Sequence, residues 1–472
     1  MEREPEGEDS WRGSQGLISL LQWGLSAVSH GTPLPSKKGY LMVGPNAHRR
    51  TMTDPATERA GLPHAIFLHR LAGASEPSAL EPRLGRAAFV ALRLVDLLGT
   101  EHATLHPDAF HYQYVATLRC CRDLPPGSTE TSHLLGLVRG TADAFGQHSA
   151  GLVLPALFAY AHFLEDEMRL EEALDVLDTL LQLGDGKLVP GDAVGARLRR
   201  ARVYRKLNEF DAAERSYAEG GALAAAIGDK HSELLSRIGR AHATTGRGNL
   251  AEAELALRGV LADAETAGDL DAQALAHQAV AVVLSTSGRP SEAIPHEWRA
   301  FQLCEDSSSR MRILSDLGIM LLRVGDVDGA ERALTEIVRR GAARDVLDNA
   351  MVELMHCASF RRDRVGFERW RERCEARQEN MPPNVLVDYL LKAGIGRARF
   401  GQLERAERLL ANALRIADEA GLHEFTFRIE RIKAGLRDSC QPPIEGLAEA
   451  AEPVVQCEAV REVSASLAEL GP

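Results

Sequence analysis

From about residue 78 onward, apolar residues recur at three- and four-residue spacing almost without interruption. That spacing belongs to amphipathic helices, where residues one turn apart share a face. It is first clear in LEPRLGRAAFVALRLVDLLG (80–99), PDAFHYQYVATLRCCRDL (107–124) and TETSHLLGLVRGTADAF (129–145), punctuated by Gly99 and Pro125-Pro126-Gly127. No convincing run alternates with the period of two that a strand requires, so the pattern predicts an all-α protein. Residues 1–72 carry no sustained period. They mix Pro, Gly and Ser (SHGTPLPSKKG, 29–39) around one short amphipathic segment, GLISLLQWGLSAVS, at about 16–29. The expectation there is a disordered leader, or one that results from a misassigned start with translation beginning at Met42 or Met52.

An internal repeat organises the middle of the sequence. RLEEALDVLDTLL (169–181), EFDAAERSYAEGG (209–221), NLAEAELALRGVL (249–261), RPSEAIPHEWRAF (289–301), DVDGAERALTEIV (326–338) and QLERAERLLANAL (402–414) align, with a weaker copy in DRVGFERWRERCE (363–375). The anchors Ala173, Ala213, Ala253, Ala293, Ala330, Phe367 and Ala406 are separated by 40, 40, 40, 37, 37 and 39 residues. Each copy reads as a helix pair. The first helix carries a small residue (Ala161, Ala201, Gly239, Ala281, Gly318, Gly394), and the second opens near the anchor. Small residues at such a crossing let two helices approach within the usual interaxial range of about 8–10 Å. Between pairs, LGD (183–185), AIGD (226–229) and AGD (267–269) put Gly where a helix can end in left-handed geometry, with Asp next to cap the following helix; AGL (420–422) repeats the Gly alone. A lone pair leaves its apolar stripe bare, so neighbours must stack into a one-dimensional core.

These residues resemble the tetratricopeptide-repeat family. The best match is DLGIMLLRVGDVDGAERALTEIV (316–338), with Leu317-Gly318, Gly325-Asp326 and Ala330 at the signature positions; LKAGIGRARFGQLERAERLLANAL (391–414) follows closely. The resemblance covers roughly 150–435. It departs from the family in a period near 40 instead of 34 and in generally lacking the closing Pro; its longer helices with Ala-x-x-Gly-Asp joints resemble the subset found in kinesin light chains and in sensor arms of bacterial regulators. It implies a right-handed α-solenoid of helical hairpins that recognises a partner along a groove. The expected organisation is a leader (1–72), an N-terminal helical region of degenerate repeats (73–149), the repeat array (150–420), a closing helix (421–440) and an acidic tail (441–472). A solvated tail is favoured over a docked one, although 455–469 could form a short helix.

Charge narrows the function classes. The net charge is −12, but residues 1–10 contribute −4 and residues 441–472 contribute −5, so the body carries −12 + 9 = −3. A sequence-independent nucleic-acid binder needs a strongly basic domain, so nucleic acid is disfavoured as a partner. Of 55 Lys and Arg, seven are Lys. The longest apolar stretches, 17–28 and 151–164, fall short of the roughly 20 residues of a membrane span, so no membrane partner is expected. An acidic N-terminus and seven cysteines without a metal or disulfide framework point to the cytoplasm.

Candidate chemistry lies on the first helices, which line the groove in the family. The repeat phase puts Arg199, Arg202, Arg205 and Lys206 along one face and Arg237 and Arg240 on the next repeat. Six cations on two adjacent helices could hold carboxylates by charge-assisted, often bidentate hydrogen bonds. The resemblance implies a clamp for an acidic segment or for the carboxyl terminus of a partner, although the Asn residues typical of that clamp are missing. The competing reading is a solvated Arg face neutralised by Glu214, Glu219 or Glu233. Val282, Ile319, Leu322, Val352 and Ile395 fall on the same side further along, as an apolar groove or as packing between repeats. His162 and His356 also map to that face. Ala173, Ala213, Ala253, Ala293, Gly318, Ala330, Gly394 and Ala406 are assigned to repeat packing.

His102, His106 and His111 invite a metal reading that Pro107 interrupts, so neither metal nor cofactor is expected. No nucleophile, phosphate-loop or HExxH motif occurs, GRGN (246–249) has no preceding strand, and Cys357 beside His356 diverges from it by about 100° on a helix. The sequence is therefore read as a non-catalytic scaffold or adaptor binding a protein or peptide, acidic in character. The alternative is a signal receiver that binds a peptide or small ligand and controls a separate regulator. A helical RNA binder would need a basic groove over more than two repeats, and a hydrolase would have to rest on His102–His111.

Overall fold

A computed structural model describes residues 62–72, 79–99, 106–184, 188–437 and 457–470. The expected leader through residue 61, with its amphipathic segment 16–29 and the alternative starts, lies outside the described residues, as do His102, Asp185 and the tail stretch 438–456. Every regular element among the described residues is helical. The protein divides between Arg247 and Gly248 into two compact units.

In the unit that ends at Arg247, α1 (Leu80–Asp96), α2 (Pro107–Arg122) and α3 (Thr129–Gly146) all pack on one another. They are followed by α4 (Leu154–Asp166), α5 (Leu170–Leu183), α6 (Pro190–Lys206), α7 (Phe210–Ile227) and α8 (Lys230–Gly246). Leu92, Leu134, Leu157, Tyr160 and Leu177 are fully buried in its core.

The leader does not extend to residue 72 as expected. A 3-10 turn, Ala65–Leu68, runs into a helical turn, His69–Ala72, and both pack on α1. Phe67 is fully buried and stacks on Tyr160 at 6.3 Å. Gly85 admits this segment, since a Cβ there would collide with the Phe67 carbonyl. Polar ties do the rest. Arg70 donates to Glu130 at 3.0 Å and pairs with Glu172, while His64 bridges Asp96 at 3.1 Å and Asp175 at 2.5 Å. Burial works against the His64 charge, but the two carboxylates outweigh it and raise its pKa to about 9.

The second unit contains α9 (Leu250–Ala267), α10 (Leu270–Thr286), α11 (Pro290–Leu303), α12 (Ser307–Arg323), α13 (Val327–Arg340), α14 (Arg344–Phe360), α15 (Arg364–Glu375), α16 (Pro383–Arg399), α17 (Leu403–Glu419), α18 (His423–Arg437) and α19 (Glu458–Glu469). The first helices are buried on nearly all sides: thirteen of the seventeen residues of both α14 and α16 are buried. Second helices bury one stripe, as in α13 with Ala330, Ala333, Leu334 and Ile337. The solvated-tail expectation fails for α19. Val460, Val463 and Leu467, three and four residues apart, are buried as α19 lies on α11 and α13. Arg332 Nη1 donates to the Ser464 carbonyl at 3.1 Å, and a Cβ on Gly329 would come within 2.8 Å of Ser464 Oγ. The small residue on α13 is what lets the tail helix approach.

The repeat register is visible in the backbone. Met168, Asn208, Gly248, Gly288, Gly325, Arg362 and Gly401 all take positive φ between the two helices of a hairpin, and each stands five residues before its anchor. The anchors Ala173, Ala213, Ala253, Ala293, Ala330, Phe367 and Ala406 are fully buried. Opposite them, a Cβ on Gly318 would come within 2.9 Å of Leu334, one on Gly394 within 2.9 Å of Leu410, and one on Gly239 would enter the Tyr217 ring. Between pairs, Gly228, Gly268 and Gly421 are left-handed as expected, and Asp229 and Asp269 cap Ser232 and Ala272 at 3.0 Å each. Gly184 is a correction: its φ is −86°, so α5 ends without a left-handed residue. The fold is a tetratricopeptide-like array of helical hairpins.

Candidate functional site: the charged row of the first helices

Three positions of each first helix, counted two before, one after and five after the residue at the hairpin crossing (small in every case but Met355 of α14), share one register. They read Arg199, Arg202, Lys206 on α6; Arg237, Arg240, Thr244 on α8; Ala279, Val282, Thr286 on α10; Asp316, Ile319, Arg323 on α12; Glu353, His356, Phe360 on α14; and Lys392, Ile395, Arg399 on α16. On α4 the last two are His162 and Asp166, an ion pair at 2.8 Å.

The cations expected to form an open face are instead drawn inward. Glu165, in the last turn of α4, is fully buried and accepts from Arg199 Nη1 at 2.9 Å and Arg202 Nη2 at 2.8 Å, with Lys206 Nζ 2.9 Å away. The three cations follow each other at three- and four-residue spacing, so one helix face carries them to one carboxylate. Burial pushes the Glu165 carboxyl up, but Arg202, Lys206 and Arg199 hold it down at about 2. Burial pushes Arg199 and Lys206 below their ordinary values, with the Arg202 charge adding to it and Glu165 opposing it. Arg205 lies one position earlier, buried, next to His242 of α8, whose pKa falls to about 3 through burial and the Arg205 charge.

The structure brings three of the six predicted cations, Arg199, Arg202 and Lys206, to one carboxylate, places Arg205 beside His242, and leaves the other two on α8. Arg240 is half-exposed and stands 3.4 Å from Glu214, which also accepts from Arg247 at 2.6 Å. Arg237 is half-buried. Of the acids foreseen as neutralisers, Glu214 serves Arg240, whereas Glu219 pairs with Arg200 and Glu233 with Lys230. Sequence reasoning missed Glu165 and His242. Glu165 stands 41 residues before Lys206, one repeat plus one position, and that interval was the available signal.

In the second unit the row mixes apolar and charged residues, where an apolar groove was one expectation. Val282, Leu322, Val352 and Ile395 are 8% exposed or less, and Ile319 is half-buried. They pack between helices because each first helix is flanked on both sides. Beside them Lys392 Nζ donates to Asp388 at 2.6 Å and to Glu353, all three buried. Arg399 donates to Ser359 Oγ at 2.7 Å and covers the Phe360 ring at 3.8 Å. Arg323 makes the equivalent bond to Ser285 Oγ at 3.1 Å. His356 is buried, and its pKa lies well below the ordinary value through burial and the nearby Arg399 charge.

The other candidates are structural. His106 caps α2 by accepting from the Asp108 amide at 3.2 Å, and His111 is exposed. No three metal-ligating side chains converge among the described residues. Gly248 of GRGN is a left-handed hairpin turn. Burial pushes the Cys357 thiol up, away from the thiolate that a nucleophile requires.

Comparison with known proteins gives structural likeness alone. No family model matches, and no curated protein matches. Among solved structures, a Rap protein complexed with competence and sporulation factor is 13% identical at a TM-score of 0.40, and the match spans 75% of this protein and 98% of the Rap protein. NprR in complex with its cognate peptide NprX is 12% identical, covering 75% and 92% at 0.40. A Podospora anserina kinesin light chain with TPR-like repeats is 16% identical, covering 49% and 97% at 0.29. The fold is carried by the repeat register of the sequence itself.

Proposed function

We propose that this protein is a non-catalytic recognition protein that binds a segment of a protein or peptide partner along the charged row of its first helices. The observation that carries this reading is the convergence of Arg199, Arg202 and Lys206 from one face of α6, held in place by packed helices and by Glu165. Side chains fixed in this way lose little entropy on meeting a ligand, which is what a preformed binding surface supplies. Arg240, the half-exposed member on α8, is where such a partner makes first contact. The described cysteines are free thiols, which fits a cytoplasmic site of action.

The test is affinity capture from the extract of the producing cell with the full-length protein as bait, beside Arg240→Glu and Arg202→Glu versions confirmed folded by circular dichroism. A defined protein retained by the parent and reduced by both variants supports the reading. Equal retention by all three contradicts it.

A further inference from the structure

The charge around Glu165 does not close. Arg199, Arg202, Arg205 and Lys206 bring four positive charges onto little more than two turns of α6, and the acids of α4 beside them are Glu165 and Asp166. Glu165 is already shared by three cations, and Asp166 also pairs with His162 at 2.8 Å. An excess of about two positive charges is left in a region where Arg199 is 9% exposed and Arg205 6% exposed. Arg205 Nε and His242 Nδ1 are buried and have no hydrogen-bond partner among the described residues. Packing alone does not favour such an arrangement, because a buried uncompensated charge is destabilising.

We propose that the Arg199–Arg202–Arg205–Lys206 cluster is a receptor site for a doubly charged oxyanion of the phosphate-monoester type, carried on the bound partner segment. The inference rests on the partner-binding reading above and adds the chemistry of the bound group. A phosphate monoester carries about −1.5 to −2 charge at pH 7 and three acceptor oxygens, so one group matches the excess and the available donors. A single carboxylate would match half of it. Guanidinium forks suit phosphate oxygens by bidentate geometry, while the Lys206 ammonium supplies a point charge. Arg202 is the central ligand: its side chain, 16% exposed, is more open than those of Arg199 and Lys206, both 9%.

The experiment titrates the full-length protein with inorganic phosphate and, in parallel, with succinate and acetate, following heat and phosphorus NMR. Arg202→Gln and Lys206→Met are compared with Arg215→Gln, an exposed cation on α7. Saturable phosphate binding that is stronger than succinate binding, weakened about tenfold or more by each cluster variant and unchanged in Arg215→Gln, is the expected result. Succinate binding as tight as phosphate overturns the phosphate assignment in favour of paired carboxylates. No saturation, or equal weakening by Arg215→Gln, overturns the site. Partner capture that depends on Arg240 while phosphate fails to bind removes this inference and leaves the partner-binding reading standing.

Discussion

Lys206 Nζ stands 2.9 Å from the carboxylate of Glu165, 41 residues upstream in the last turn of the preceding first helix. The same step recurs in the second unit, where Arg323 reaches Ser285 across 38 residues and Arg399 reaches Ser359 across 40. A cation in the last turn of one first helix is thus bonded to the last turn of the one before it, where the helix dipole also favours positive charge. A second set of ties follows the hairpin turns. Arg247 holds Asp211 and Glu214, Arg289 holds Glu254, and Arg361 holds Asp328 and Glu331. Neighbouring hairpins are therefore keyed by charge as well as by apolar packing.

Glu165→Gln removes the one carboxylate shared by the buried Arg199 and the half-buried Arg202 and Lys206. Breaking a buried pair from one side costs about 3–5 kcal/mol, so thermal or denaturant unfolding should show a loss on that scale. The folded pKa of about 2 lies below the unfolded value near 4.5, so the contribution is present above about pH 4.5 and is lost as pH falls toward 2. That shift corresponds to about 3 kcal/mol. A stability–pH curve should be flatter on its acid side in the variant than in the parent.

Asp316 and Glu297 predict the opposite pH trend. Both are buried with unpartnered oxygens, and burial raises both pKa values, Asp316 to about 7. A folded pKa above the unfolded one means stability is fully present at low pH and is lost as pH rises from about 4 through 7. Asp316→Asn should stabilise the protein at pH 8 and change little at pH 4, as read from denaturant midpoints.

Arg362 occupies the left-handed turn position that Gly takes at 288, 325 and 401, with φ 55°. A side group there costs about 1–2 kcal/mol in backbone strain. Arg362→Gly should therefore leave stability unchanged or raise it by about 1 kcal/mol in chemical denaturation, whereas Gly325→Ala should lower it.

Gly318→Ala drives a methyl group to within 2.9 Å of Leu334 and should cost about 1–3 kcal/mol. At Gly259 in α9 an added methyl group would meet nothing within 4 Å, so Gly259→Ala should stabilise by about 0.5–1 kcal/mol. Opposite signs in paired melting curves would establish that small residues matter here by crossing position and not by composition.

Much of this was legible in the sequence. The anchors and small residues repeat because every hairpin solves one packing problem, and a problem solved seven times leaves a period. Residues 62–72 were missed because Phe67 alone supplies a fully buried apolar side chain and the remaining ties, His64 and Arg70, are long-range ion pairs without local period. The spacing of Arg199, Arg202 and Lys206 on one face of α6 was legible, while their partner Glu165 was not, since a single acid one repeat away looks like any solvated Glu. Val282, Val352 and Ile395 could not be assigned to groove or core, because a first helix flanked on both sides presents apolar residues to either.

On the proposed reading, recognition runs along the first helices. Site-specific photo-crosslinking tests it most directly, with the reactive group placed in turn at Arg240 on α8 and at Leu255, an exposed residue on the second helix α9. A defined protein or peptide adduct is expected from Arg240 and none from Leu255. Adducts from Leu255 alone would contradict it.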